Sequence, residues 1–480
     1  MIRFLLNDRL VSVEECSPSL TILEYLRTTE VQRGTKEGCA SGDCGACTVV
    51  VAEPDGDQLR YTSLNSCITF IGTLHGKQLL TVEHLERAGE LHPVQRAMVD
   101  LHGSQCGFCT PGFIMSMFAL YKSGDAVNRA SIERALAGNL CRCTGYRPII
   151  DAALSLAGKG TEDCFTEREA DIYDRLSKIR QEWPSGSLKQ GDRLFFSPTN
   201  SDELAALLQS HDSAQLVAGG TDLALGVTQQ LKQPGVLIYT GLVEELTQIE
   251  AHDDHLLIGG GVSYARLEPV LEAHLPPFAK LLERLGSLQI RNQGTLAGNV
   301  ANASPIGDTP PVLLALAARV HVRSGNRCEV IDIDQFFTGY RQTALPDAGF
   351  IEQIEIPLKA DYRLHVFKVS KRLDDDISAV CAAFSLKIEA GMVIDARLGF
   401  GGMAATPARA LKAEQALIGQ RFDEAGIAAA QAALEDDFSP IDDVRATGSY
   451  RMQVARNLLL RVVLEQDNNQ VEPLEVVQYA

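Results

Sequence analysis

Gly38-Cys-Ala-Ser-Gly-Asp-Cys-Gly-Ala-Cys47 decides how this chain reads. Three cysteines, Cys39, Cys44 and Cys47, crowd one glycine-rich loop as Cys-x4-Cys-x2-Cys, and Cys67 follows as a fourth. Four convergent thiolates make a metal centre, and this spacing is that of a [2Fe–2S] cluster. Gly38, Gly42 and Gly45 stand beside the ligands. There a missing side chain lets the backbone approach an anionic cluster and adopt φ > 0. The competing reading is an all-cysteine zinc site. Zinc knuckles favour paired Cys-x2-Cys motifs, whereas here three ligands share one loop.

A second quartet follows: Cys106 and Cys109 as Cys-x2-Cys, then Cys141 and Cys143 as Cys-x-Cys. Two close pairs suit zinc as well as iron. Thr110-Pro111 predicts a helix that starts at the first pair, with Thr110 as N-cap and proline at N1. Its positive end would favour added electron density. Cys141 and Cys143 cannot share a helix face, so they belong on a loop, flanked by Arg142 and Arg147. Cys16, Cys164, Cys328 and Cys381 show no partner spacing and read as ordinary thiols.

Around the cysteines the chain is that of a water-soluble, multidomain protein. Its 480 residues suggest about three or four domains. The apolar and charged fractions, 45% and 22%, are globular. A net charge of −18 argues against nucleic acid as partner. No stretch is long and apolar enough to span a membrane, and residues 1–15 lack a secretory signal, so cytoplasm is expected. Residues 2–6 and 10–14 read as a hairpin, 20–26 as a short helix and 48–52 as a strand. Helix period appears over 93–102, 111–122, 131–138 and 146–157. Residues 159–192, polar and without apolar periodicity, read as a linker. Strands are expected at 216–218, 236–239 and 256–258, and 313–322 suits either type. Residues 380–389 and 393–400 read as a hairpin about Ala390-Gly391, followed by helices at 408–418, 424–435 and 448–464. The expected domains are 1–85, 86–158, 193–365 and 366–480.

Two further runs carry chemistry. Leu216-Val-Ala-Gly-Gly-Thr-Asp-Leu223 is a strand running into a glycine turn, whose backbone N–H groups suit a pyrophosphate. A tight β-turn is the bland alternative, and the run is not the Rossmann fingerprint. Asn292-Gln-Gly-Thr-Leu-Ala-Gly-Asn299 has the same permissive composition.

The cysteine loop, Gln105-Cys-Gly-Phe-Cys-Thr-Pro-Gly112 and Asn139-Leu-Cys-Arg-Cys-Thr-Gly-Tyr-Arg-Pro148 together resemble the molybdenum hydroxylase family, in order and in spacing. That family includes xanthine dehydrogenases, aldehyde oxidases and carbon monoxide dehydrogenases. The resemblance implies a multidomain α+β architecture. It comprises a β-grasp ferredoxin-like domain, a helical-bundle [2Fe–2S] domain, a vanillyl-alcohol-oxidase-type FAD domain and a C-terminal α+β flavoprotein domain. It implies that Leu216, Val217, Ala218, Gly219, Gly220, Thr221, Asp222 and Leu223 bind FAD together with Thr295, Leu296, Ala297, Gly298 and Asn299. It further implies that Asp308 accepts a hydrogen bond from the cofactor and that Ile351 and Lys368 line it. Leu285 stands where relatives often carry a phenylalanine stacked on the flavin. Tyr340 and Asp375, within Asp374-Asp375-Asp376, match positions that govern NAD access; a solvated acidic loop is the plain alternative.

By the same resemblance, the domain set is similar to the small subunit of bacterial xanthine dehydrogenases. The expected partner is a large subunit carrying molybdopterin, since no such segment is found here, in a two-plus-two heterotetramer. The expected function is transfer of electrons from that site through two [2Fe–2S] clusters to FAD and on to NAD+, with no residue of this chain acting on hypoxanthine or xanthine. Two alternatives stand beside it: the equivalent subunit of an aldehyde or other N-heterocycle hydroxylase, and a zinc-stapled interaction module.

Overall fold

The computed structural model describes residues 1–159 and 162–467, which form two compact units. The first comprises Met1–Gln248 with Gly259–Leu267 and Gly286–Thr295. The second comprises Ile249–Ile258, Glu268–Leu285 and the chain from Leu296 onward.

The first unit opens with the expected hairpin, Ile2–Leu6 and Arg9–Val13, turned at Asn7 with φ 56°. These strands join a five-stranded sheet with Thr48–Asp55, Gln58–Asn65 and Gln78–Leu80. Gln78–Leu80 lies between the first and third strands, parallel to Ile2–Leu6 and antiparallel to Thr48–Asp55. Alternation does the rest. Phe4, Leu6, Val49 and Val51 point into one core with Ile22 and Leu26 from the helical turn after Thr21, whose hydroxyl caps it at Glu24 N–H, 3.2 Å.

Leu5, Ala52 and Leu59 face the other way, and what covers them corrects a sequence expectation. The stretch read as a linker contains the helix Glu169–Glu182, which buries Ile172, Leu176 and Ile179 against that face. The spacing i, i+4, i+7 places the three on one stripe, narrow enough to be lost among charged neighbours. Truncating the fully buried Leu176 to alanine should cost about 2–5 kcal/mol of stability, read as a lowered denaturation midpoint. A change within error would mean that the helix only rests on the sheet.

Four helices follow, Pro93–Asp100, Thr110–Ser123, Arg129–Leu136 and Arg147–Leu154, around a core of Val94, Phe113, Phe118, Ile132 and Ile149. Thr110–Ser123 is the central rod: ten of its residues are buried. Its N-cap is Cys109, not Thr110, whose hydroxyl donates instead to Ser104 Oγ at 2.8 Å. The unit also holds a four-stranded sheet ordered Gly186–Gln190, Arg193–Ser197, Val236–Tyr239, Ala214–Val217. The last three strands run parallel, linked by right-length crossovers such as the helix Ser201–Ser210, capped by Asn200.

In the second unit, a five-stranded sheet runs Ile249–Ala251, His255–Gly259, Gly349–Pro357, Arg319–Ser324, Arg327–Asp332. The ambiguous stretch 313–322 resolves into both types: helix Thr309–Leu316 ends at Ala317, φ 56°, and a strand starts at Arg319. An antiparallel sheet, Arg363–Val369, Val380–Glu389, Met392–Gly401 and Ala408–Arg409, follows. The helices Leu411–Leu417, Glu424–Asp437 and Gly448–Asp467 contribute to its core. Among the described residues no helix is long and apolar enough to cross a membrane.

Candidate functional site

Among the described residues, no group of three or more His, Cys, Asp or Glu side chains is placed to hold a metal ion. The eight thiols instead meet two by two. Cys39 contacts Cys44 and Cys47 contacts Cys67, with a further Cys39–Cys67 contact joining the pairs. In the second quartet Cys106 lies 3.5 Å from Cys143, and Cys109 contacts Cys141. A [2Fe–2S] cluster takes two thiolates on each iron, so paired thiols fit its donor set.

Backbone N–H groups are aimed at the sulfurs, as an anionic cluster requires. Ser41 and Asp43 donate to Cys39 Sγ at 3.4 and 3.3 Å, and Thr144 donates to Cys141 Sγ at 3.4 Å. The loop is glycine-dependent where expected: a Cβ on Gly38 would meet Cys44 Sγ at 2.6 Å, and Gly42 and Gly45 take φ of 81° and 65°. Crowding splits the acidities. Hydrogen bonds from Cys44 and then Cys67 pull the Cys39 thiol far below its ordinary range, and Cys67 lowers Cys47. Cys44 and Cys67, sharing protons with Cys39, are pushed far above theirs. Burial, and then contact with Cys141, pushes Cys109 up to about 12. Cys141 itself is lowered: burial opposes the shift, but hydrogen bonds from Thr144 outweigh it. Cys39, Cys47 and Cys141 are the thiols poised as thiolates, and a bound metal would displace the protons that their neighbours keep.

The two quartets touch through backbone. Leu140 N–H donates to Cys44 O at 3.0 Å, one residue before Cys141. Cys47 and Cys67 are buried, whereas Cys106 and Cys143 are exposed. Tyr146, which the sequence reading quoted but gave no role, sits in the left-handed region, φ 69°, and its hydroxyl accepts from Cys141 N–H at 3.1 Å. Arg147 pairs along its own helix with Asp151 at 3.8 Å. Asn65, also unforeseen, steadies the first loop by donating to Gly42 O at 2.8 Å.

The two glycine runs meet in the first unit although some 75 residues separate them. Strand Ala214–Val217 ends in Gly219-Gly220, the latter with φ 71°. A Cβ on Gly219 would lie 2.2 Å from Gln293 O and 2.7 Å from Gly294 N. Tyr264 N–H donates to Gly294 O, and Ser263 bridges Thr295. A cleft beside the turn is lined by Ala218, Gly219, Gly261 and Ser263, with Arg60, Lys77 and Arg266 as its cations and Glu53 paired to the first two. Its glycine walls carry no side chains and so leave backbone N–H groups open to a diphosphate. The helix Leu223–Thr228 then leads away from the turn to Gln229, whose Nε2 donates to Ala40 O at 2.9 Å and Cys39 O at 3.3 Å. The glycine turn and the first cysteine loop are thus tied together by one short helix.

In the second unit, Asn299 lies on helix Leu296–Asn302 and accepts from Thr309 Oγ1 at 2.7 Å. Asp308 and Lys368 are buried and paired at 2.7 Å. The other Asp308 oxygen accepts from Ser378 Oγ at 2.5 Å, and Lys368 also donates to Arg284 O at 3.0 Å. Both Asp308 oxygens therefore already have a protein donor, which the sequence reading, assigning Asp308 to the cofactor, did not foresee. Ile351 is buried on strand Gly349–Pro357, opposite Val322. Tyr340 is 63% exposed, and Asp375 takes φ 51° in a loop whose Asp376 accepts from Arg372 N–H at 2.9 Å.

Comparison with known protein families finds four matches along the chain. Residues 4–72 match the 2Fe-2S iron-sulfur cluster binding domain and 81–154 the [2Fe-2S] binding domain. Residues 189–359 match the FAD binding domain in molybdopterin dehydrogenase and 365–466 the CO dehydrogenase flavoprotein C-terminal domain. The chain belongs to the molybdenum hydroxylase family, as an electron-transfer module carrying two 2Fe-2S domains and an FAD domain. Within that family it is 35% identical to the xanthine dehydrogenase of Emericella nidulans, over 91% of this chain and 36% of that protein. It is 31% identical to the xanthine dehydrogenase/oxidase of Gallus gallus, over 88% and 36%. The nicotinate hydroxylase of Emericella nidulans is 30% identical over 96% of this chain and 40% of its own length. The chain thus spans little more than a third of the curated relatives it matches. Among solved structures, the carbon monoxide dehydrogenase of Hydrogenophaga pseudoflava superposes with a TM-score of 0.53 at 27% identity, covering 56% of this chain and 94% of that one. The quinoline 2-oxidoreductase of Pseudomonas putida 86 does so with 0.53 at 25%, with the same coverages.

Proposed function

We propose that the chain is the electron-transfer subunit of a cytoplasmic xanthine dehydrogenase, receiving electrons released from hypoxanthine or xanthine at a molybdenum site on a partner polypeptide and passing them to NAD+. The single observation that carries this reading is the physical linkage of its parts. Leu140 N–H on Cys44 O joins the two cysteine quartets, and Gln229 on Cys39 O and Ala40 O joins the first quartet to the glycine turn. Iron–sulfur clusters supply one-electron steps and FAD couples them to the two-electron chemistry of nicotinamide.

Cys39, Cys44, Cys47 and Cys67 hold one cluster in this reading, and Cys106, Cys109, Cys141 and Cys143 the other. The Gly219-Gly220 turn, packed against Gln293 and Gly294, cradles the flavin diphosphate. Asp308 is buried and held in place by Lys368 and Ser378. Ile351 supplies apolar wall, and Tyr340 and Asp375 sit on exposed segments suited to admitting NAD+. The partner is a molybdopterin-bearing large subunit, in a two-plus-two assembly. The nicotinate hydroxylase relative supports a second reading of the same machinery, with another N-heterocycle as the partner's substrate.

The purified chain should be yellow-brown, with two [2Fe–2S] clusters and one FAD per polypeptide and oxidation of NADH by an artificial dye. Stoichiometric zinc in place of iron would sink the cluster assignment, and turnover of xanthine without a partner would sink the division of labour. Paired with its large subunit, preference for nicotinate over xanthine would select the second reading.

A further inference from the structure

The two cysteine quartets and the segment just before the second glycine run converge on one fully buried side chain, Gln289. Its Nε2 lies 3.0 Å from Asn139 Oδ1, 3.1 Å from Ser116 Oγ and 3.3 Å from Thr48 Oγ1. Each acceptor stands near a cysteine. Thr48 follows Cys47, Asn139 comes two before Cys141, and Ser116 lies on the helix that Cys109 caps. Three glycines make the approach possible. A Cβ on Gly45 would strike Gly138 O at 2.3 Å, one on Gly112 would strike Gly45 O at 2.1 Å, and one on Gly138 would strike Ser287 Cβ at 2.3 Å.

The orientation of every amide here is dictated by chemistry. Gly45 O accepts only, so Asn139 must turn its Nδ2 to it, at 3.0 Å. That leaves Asn139 Oδ1 to accept from Ser116 Oγ, at 2.7 Å, and from Gln289. Gln289 must therefore present its N–H groups; turned over, two carbonyl oxygens would face each other without a proton between them. The outcome is an imbalance. Gln289 Oε1 is buried with no donor among the described residues, against the site where Gly138 would carry a Cβ, 2.4 Å away. A buried acceptor left without a donor is a cost that stability alone does not maintain.

We propose that Gln289 is a positioning residue for electron transfer between the two clusters, pinning both cysteine loops to one point and so fixing the distance between the centres they hold. This rests on the two-cluster reading above. Removing its N–H groups takes away the donor that Asn139, Ser116 and Thr48 share, and the loops are then held by Leu140 N–H on Cys44 O and by Asn139 Nδ2 on Gly45 O and, at 3.3 Å, on Thr48 Oγ1.

The test uses the full chain, reduced and examined by low-temperature EPR, in wild type, Q289M and S116A. Methionine keeps the length and bulk of glutamine without the amide, and S116A removes one partner. Wild type should show two distinct iron–sulfur signals, each split by the spin of the other. Q289M should keep wild-type iron and flavin content and both signals, but lose or visibly narrow the mutual splitting; S116A should change it in the same direction by less. An unchanged splitting in Q289M at full iron content overturns the proposal, leaving Gln289 as packing. Should Q289M fail to accumulate, S116A decides by the same two readings. A wild type with fewer than two signals would instead bring down the two-cluster reading itself.

Discussion

Replacing Cys109 with serine should remove one of the two iron–sulfur EPR signals of the reduced chain and about half of its iron, leaving the other signal at full intensity. The argument starts from position. Cys109 is the N-cap of helix Thr110–Ser123, yet its side chain makes no capping hydrogen bond, because the sulfur turns to Cys141 instead. Serine at that place is among the best of all N-caps, worth about 1 kcal/mol to a helix. The substitution therefore deletes a ligand while leaving the helix at least as stable as before. A lost signal then reports a lost cluster rather than an unfolded domain. The first quartet serves as the internal control, since Cys39, Cys44, Cys47 and Cys67 make none of their thiol contacts with Cys109. Two undiminished signals would remove Cys109 from the ligand set.

What the sequence made legible was whatever chemistry forces into short range. Ligand loops declare themselves because thiolates, glycines and a helix start must be packed into ten or so residues, and both loops formed where those residues stand. The meeting of Gly219 with Gln293 and Gly294 was legible only as two runs of similar composition; neither run states that it faces the other. The helix Glu169–Glu182 was missed because a sheet's second face needs only a narrow stripe to cover it. Ile172, Leu176 and Ile179 supply that stripe within a strongly polar segment. Thr110 was misread as a cap because threonine before proline is a common start signal, whereas Ser104 draws its hydroxyl away. Gln289 was beyond reach by any local reading. Its partners lie 150, 173 and 241 residues away, and nothing in Ser287-Leu-Gln-Ile marks one amide as buried. Ser378 escaped for the same reason, seventy positions from the carboxylate that it locks.

Those long-range contacts also say where a single methyl group should do most harm. Substituting Gly219 by alanine should weaken FAD binding by roughly tenfold to a hundredfold while iron content stays at wild type, because the overlap it creates costs about 1–3 kcal/mol. The added Cβ would fall 2.2 Å from Gln293 O and 2.7 Å from Gly294 N, both backbone atoms that no rotamer change moves aside. Relief requires the two glycine runs to separate, which opens the cradle proposed for the diphosphate. The cysteine loops, held by Asn65 on Gly42 O and by Leu140 on Cys44 O, do not depend on that contact. Flavin released by denaturation and counted against iron reads both quantities from one sample. Gly226→Ala is the matched control, in helix Leu223–Thr228, where an added Cβ meets only the flexible Lys232 side chain at 3.5 Å. There alanine favours the helix by about 1 kcal/mol and should leave flavin untouched. Equal flavin in both variants would mean that the Gly219 turn does no more than reverse the chain, and the cofactor would have to be sought elsewhere in the molecule.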